Sequence, residues 1–185
     1  MRDYSFELSV FRQANSISQK GGTVVLSSGD MARMPISEMA MNCMVDLPVY
    51  NRGISGLTVE DAANVLEDCV FSLEPHKVIV ALGTEDLKDP AFDIKEFVNR
   101  YEWLLYSLNS RLKCRIYIAS VMSTSPMASA VNAALKNLAA ACGCRYIDIS
   151  RTSACDNPML RMFDILRNNL RERPISFTEA MSLPL

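Results

Sequence analysis

"TVVLSSGDMARMPI", residues 23–36, decides the architecture. Thr23–Leu26 is an apolar run of strand length, Ser27-Ser28-Gly29-Asp30 breaks it, and a helical pattern resumes within a few residues. A buried strand running through a sharp turn into a helix opens a βα unit, and the carboxyl end of such a strand borders the crevice of an open α/β sheet. Many α/β hydrolases hold a nucleophile on a turn of this kind. The identity of the residue at the turn therefore bears on chemistry as well as fold.

Working outward, the same alternation recurs. Short apolar runs predict strands at Thr23–Leu26, Pro48–Asn51, Lys77–Leu82, Arg115–Val121 and Arg145–Ile149. Between the second and third lies a helix that Thr58 can cap, with Val59, Ala62, Ala63, Leu66 and Val70 on one face. Asp93 and Glu96 start another in capping-box fashion, and Phe97, Tyr101, Leu104, Leu105 and Leu108 recur at helical spacing. A third carries Val131, Leu135, Leu138 and Cys142 and stops at Gly143. No repeat or linker divides the chain, so residues 1–185 read as a single three-layer α/β/α domain around a five-stranded parallel sheet.

Composition narrows the function classes. A chain of 185 residues with 49% hydrophobic content can bury a sizeable core, and a formal charge of −2 offers no basic excess for nucleic acid or anionic lipid. Cys43, Cys69, Cys114, Cys142, Cys144 and Cys155 are scattered through helix and strand patterns, which points to reduced thiols and a cytoplasmic location. Cys142-Gly143-Cys144 has no second pair to complete a metal site. Residues 1–20 carry charges throughout, and no segment reaches the length of a membrane span. No cofactor is expected.

The residues just past the strand ends are the candidate site: Ser27 to Asp30, Arg52 to Ser55, Gly83 to Asp86, Ser120 to Ser125, and Ser150 onward. His76, the single histidine, precedes the third strand and so belongs to the opposite rim, out of reach of a serine at the turn.

From Lys20 to Leu87 the chain resembles the SGNH, or GDSL-type, hydrolase superfamily, and more narrowly its branch similar to the catalytic subunits of platelet-activating-factor acetylhydrolase. "YNRGISGLT" (50–58) resembles the second block of the family, which gives Gly53 the place of the oxyanion-hole amide. "LEPHKVIVALGTEDL" (73–87) resembles the third block, and "VNAALKNLAAACGCRYIDI" (131–149) the late helix and strand. The resemblance implies a flavodoxin-like α/β/α fold, lipase or acylhydrolase ancestry, and dimers by analogy with relatives.

The departures fall on the catalytic positions. The family's first block reads Gly-Asp-Ser with the serine as nucleophile; the gapless alignment puts Gly29 there, and alignment on the Gly-Asp pair puts Met31 there. The third block's asparagine, an oxyanion donor, is replaced by Glu85, and an ionised carboxylate only accepts hydrogen bonds. The last block's histidine is matched by Arg167 in Asp164-Ile165-Leu166-Arg167 or by Arg173 in "RPISFTEAM" (173–181), and an arginine stays protonated and is no general base.

Two functions follow as expectations. One is a protein that has lost serine-esterase activity and binds an unidentified small-molecule ligand, or a partner, in a crevice formed by Ser27, Ser28, Gly29, Asp30, Gly53, Glu85 and Asp86. The other is an esterase using a relocated serine, Ser28 or Ser27, with Glu85 or Asp86 as a weak base. A hard cation on Asp30, Glu85 and Asp86, or a phosphate at Ser27-Ser28-Gly29 opposed by Asp30, are lesser readings. An arginine in the histidine's place is expected to pair with Glu85 or Asp86, because an unpaired buried carboxylate is costly.

Overall fold

Val24, Val25 and Leu26 have no solvent exposure, which requires cover on both faces of the strand they form. The computed structural model describes residues 2–41, 43, 45, 47–151 and 156–171; Met44, Cys155 and the stretch carrying Arg173 lie outside the described residues. Helix α1 (Ser5–Ser16) precedes β1 (Thr23–Ser27), and the short helices α2 (Gly29–Ala32) and α3 (Ile36–Met41) lead to β2 (Val49–Asn51). The βα alternation then runs α4 (Val59–Cys69), β3 (Lys77–Ala81), α5 (Ile94–Arg111), β4 (Arg115–Ala119), α6 (Ala128–Ala141), β5 (Arg145–Ile147) and α7 (Pro158–Leu170).

All four strand pairs are parallel and the order is β2-β1-β3-β4-β5, with Thr23 opposite both Val49 and Lys77. The five expected strands are present, β3, β4 and β5 ending one or two residues short of the apolar runs that announced them. Two cores divide the layers. Val24, Leu26, Val78, Val80, Ile116 and Ile118 pack with α4, α5 and α6 on one face, where Leu8 and Phe11 of α1 also rest. Val25, Ile79, Tyr117 and Ile147 pack with Met31, Met34 and Ile36 and with Met162, Phe163 and Leu166 of α7 on the other. This is the α/β/α sandwich that the period-2 strands and amphipathic helices demand.

Local chemistry starts the helices where expected. Thr58 Oγ1 accepts from the Asp61 N–H at 3.2 Å, and Asp93 Oδ1 accepts from the Glu96 N–H at 2.8 Å. Gly143 closes α6 in a left-handed conformation, φ +68°. Helix α1 had no clear sequence signal because it buries no residue fully. Polar contacts add to the partly buried Leu8 and Phe11 in docking it: Arg52 donates from Nε and Nη2 to Asn15 Oδ1 at 3.0 and 2.8 Å, and Asn15 Nδ2 reaches Asp68 O and Ser72 Oγ. The Arg52 guanidinium also lies 5.2 Å from the Phe11 ring.

Candidate functional site

In the order β2-β1-β3 the chain leaves β1 in opposite directions, and the loops after β1 and β3 part to leave a crevice at that switch point. Ser28 is extended and Gly29 turns left-handed, φ +59°, so β1 swings directly into α2. A Cβ on Gly29 would stand 3.5 Å from Thr84 Cγ2 and 3.6 Å from Glu85 Oε1, ordinary contact distances. Gly29 thus lies beside the Thr84 and Glu85 side chains on the crevice wall. Met31 is 4% exposed and points into the core of the other face with Met34 and Ile36.

The crevice encloses about 600 Å³. Gly29, Asp30 and Arg33 line it from the first turn, Thr84, Glu85 and Lys88 from the β3 loop, and Arg2 and Gly56 close one side. Charges pair within it: Asp30 with Arg33 at 3.0 Å and Glu85 with Lys88 at 2.7 Å. The expected bridge from Arg167 is not made, because Arg167 pairs with Asp164 one turn back on α7 at 3.5 Å, while Lys88 supplies the partner of Glu85 from three residues along the chain. Arg173 lies outside the described residues.

Ser27 and Gly53 do not face the crevice. Ser27 is fully buried and its Oγ donates to Asn51 Oδ1 at 3.4 Å. The Gly53 N–H donates to the same Asn51 Oδ1 at 3.0 Å, which commits it within the protein. A Cβ on Gly53 would meet Ser27 Oγ and approach Ala32 Cα to 2.6 Å, so glycine is required here by the closeness of the first turn. Asn51 is the residue that sequence reasoning missed. It stands inside the quoted second block, but its role depends on the fold: Nδ2 donates to Met31 O, Ala32 O and Met34 O at 3.0, 3.1 and 2.9 Å.

Ser28 is 3% exposed, and its Oγ is buried without a hydrogen-bond partner. It borders a recess of about 30 Å³ shared with Asp30, Thr84 and Met122, three residues that join it to the crevice. His76 lies at the other end of the sheet, with Nδ1 2.6 Å from Gly21 O and 3.1 Å from Gly22 O.

The three acidic candidates do not converge as a cation site. Asp30 and Glu85 have cationic partners, whereas Asp86 accepts the Val59 N–H at 3.0 and 3.3 Å, stabilising the first turn of α4. Among the described residues no group of three or more His, Cys, Asp or Glu is placed to hold a metal ion. No helix among them is long and apolar enough to cross a membrane.

Burial pushes the Asp86 carboxyl up to about 6 from its ordinary 3.8, against the Val59 N–H bonds and the Arg100 charge, which pull it down, and with Glu85 adding to the rise. The folded state therefore binds the proton more tightly, and this group's contribution to stability is present below pH ~4 and lost as pH rises to ~6. Asp86→Asn keeps an acceptor for Val59 and removes the ionisation. It is expected to leave stability near wild type at pH 4 and to exceed wild type by about 3 kcal/mol at pH 7, a difference read from urea unfolding at the two pH values.

Residues 16–170 match the model of the GDSL-like Lipase/Acylhydrolase family. The chain belongs to that family. No curated protein matches it. Similar solved structures include a Streptococcus pneumonia protein described as a platelet activating factor, at 16% identity and TM-score 0.71 over 89% of this chain and 91% of that one. A GDSL-like lipase from Bacteroides thetaiotaomicron aligns at 14% identity and TM-score 0.69 over 86% and 93%. An acetylxylan esterase from Geobacillus stearothermophilus aligns at 13% identity and TM-score 0.68 over 84% and 99%. These likenesses show the fold, an SGNH-type α/β/α hydrolase fold.

Proposed function

We propose that this member of the GDSL-like family has no serine-esterase activity and uses the crevice between the β1 and β3 loops to bind a small molecule. The observation that carries the reading is Gly29 on the turn, facing the Glu85 carboxylate where an ester hydrolase needs a nucleophile and an oxyanion donor. The chemistry around it agrees. The one histidine of the sequence hydrogen-bonds to Gly21 and Gly22 at the far rim, so no imidazole can serve as base at this crevice. The Gly53 N–H is donated to Asn51.

Ser28 is the alternative nucleophile, adjacent to the turn glycine. Its hydroxyl has no base in hydrogen-bond contact, and the nearby Glu85 carboxylate is held by Lys88. The purified protein is expected to hydrolyse p-nitrophenyl acetate and naphthyl acetate at the buffer rate, and Gly29→Ser to do no better. Turnover in the wild type that disappears in Ser28→Ala would overturn the non-catalytic reading in favour of the relocated serine.

A further inference from the structure

The crevice holds three cations, Arg2, Arg33 and Lys88, against two carboxylates, Asp30 and Glu85. Arg33 and Lys88 are each spent on a carboxylate, at 3.0 and 2.7 Å. Arg2 donates one Nη1–H to Gly56 O at 2.9 Å and forms no ion pair among the described residues. One positive charge, with most of a planar five-donor fork unused, is left at the crevice wall.

A second observation comes from the recess beside the crevice. Ser28 lines this recess, which shares Asp30, Thr84 and Met122 with the crevice, and its hydroxyl is buried and unpartnered. A buried hydroxyl without a partner is destabilising, and an acceptor entering the recess would remove that penalty. Both unused groups are donors. The objection that Asp30 would repel an anion is met by geometry, since Asp30 carries Arg33 on it and its side chain is 78% exposed to screening solvent.

We propose, resting on the reading that this crevice binds rather than hydrolyses, that its ligand is a small monocarboxylate whose carboxylate sits on the Arg2 guanidinium, with the Ser28 hydroxyl as a second donor. A single unpaired arginine balances one negative charge. A phosphate monoester, with a charge of roughly −1.5 to −2 at neutral pH, would leave excess charge beside Asp30 and Glu85.

The test is an NMR titration of the full chain with butyrate, its neutral counterpart butyramide, and inorganic phosphate. Butyrate is expected to give saturable shifts at Gly29, Thr84 and Gly56, and butyramide none. Arg2→Gln should weaken butyrate at least ~10-fold, Arg2→Lys should retain most of the binding, and Ser28→Ala should weaken it several-fold. Arg2 is exposed, so an unchanged unfolding midpoint of Arg2→Gln accompanies the loss of binding. Equal binding of butyramide, tighter binding of phosphate, or an unchanged butyrate affinity in Arg2→Gln overturns the proposal. Carboxylate binding together with Ser28-dependent ester turnover would sink the non-catalytic reading alone, and no carboxylate binding with no turnover would sink this inference alone.

Discussion

Lys77→Ala is expected to destabilise the protein by about 3–5 kcal/mol, a fall of roughly 10 °C in midpoint temperature for a chain of this size. Lys77 opens β3, has no solvent exposure, and sends its ammonium along the α7 face of the sheet to the end of that helix. There Nζ donates to Asn169 O at 2.8 Å, Leu170 O at 3.1 Å and Arg171 O at 3.3 Å. Those carbonyls belong to the last turn of a helix, where orphan acceptors carry the negative end of the helix dipole. The ammonium therefore replaces water for three acceptors at once and fastens α7, whose Met162, Phe163, Leu166 and Leu170 complete the second core. Lys77→Met separates the two contributions, because it keeps the apolar stem and deletes the donors. Its cost in urea unfolding is expected to stay above about 2 kcal/mol, since the stranded carbonyls remain buried. A methionine variant as stable as wild type would show that stem packing, and not the charge, holds the helix.

The same lysine marks what a sequence can and cannot say about this fold. Strands and helix starts were legible because their causes are local: Val24 to Leu26 are apolar in a row, and Thr58 and Asp93 sit three residues before the amides they cap. Lys77 read only as a strand boundary, because its acceptors lie 92 to 94 residues further along. Glu85 was legible as a substitution, but the turn left Gly29 and Met31 as alternatives; the fold buries Met31 in the core and sets Gly29 beside Thr84 and Glu85. What failed was Arg167 as the partner of Glu85. An arginine from the last block was sought across the crevice, whereas Lys88 three residues on takes the position through a 3-10 turn at Asp86–Lys88. Short-range pairing won because a local turn orders less chain than a contact from α7. Arg2 and Asn51 carried no pattern at all, since each acts through loop backbone that only the folded chain assembles.

Asn51→Asp is expected to be more damaging than Asn51→Ala at neutral pH, an order that only the observed hydrogen bonds require. The two Nδ2 hydrogens are shared among Met31 O, Ala32 O and Met34 O, and Oδ1 accepts from the Gly53 N–H and Ser27 Oγ. The amide orientation is fixed by its partners, because three carbonyl oxygens can only accept. Alanine leaves those carbonyls and the Gly53 N–H unsatisfied, at a cost of about 2–4 kcal/mol. Aspartate restores the acceptor for Gly53 but sets a negative charge against three carbonyl oxygens, adding about 1–2 kcal/mol to the loss. The gap between the two variants should narrow as pH falls and the carboxyl takes a proton that it can donate, so urea unfolding at pH 7.5 and pH 4.5 measures the effect. An aspartate variant as stable as the alanine variant at pH 7.5 would refute the clamp. If the clamp holds, the rigidity of the turn and the chemistry of the crevice have one origin: the contact that pins α2 beneath β2 also consumes the Gly53 N–H, so that amide can donate to a ligand only if Asn51 lets the turn go.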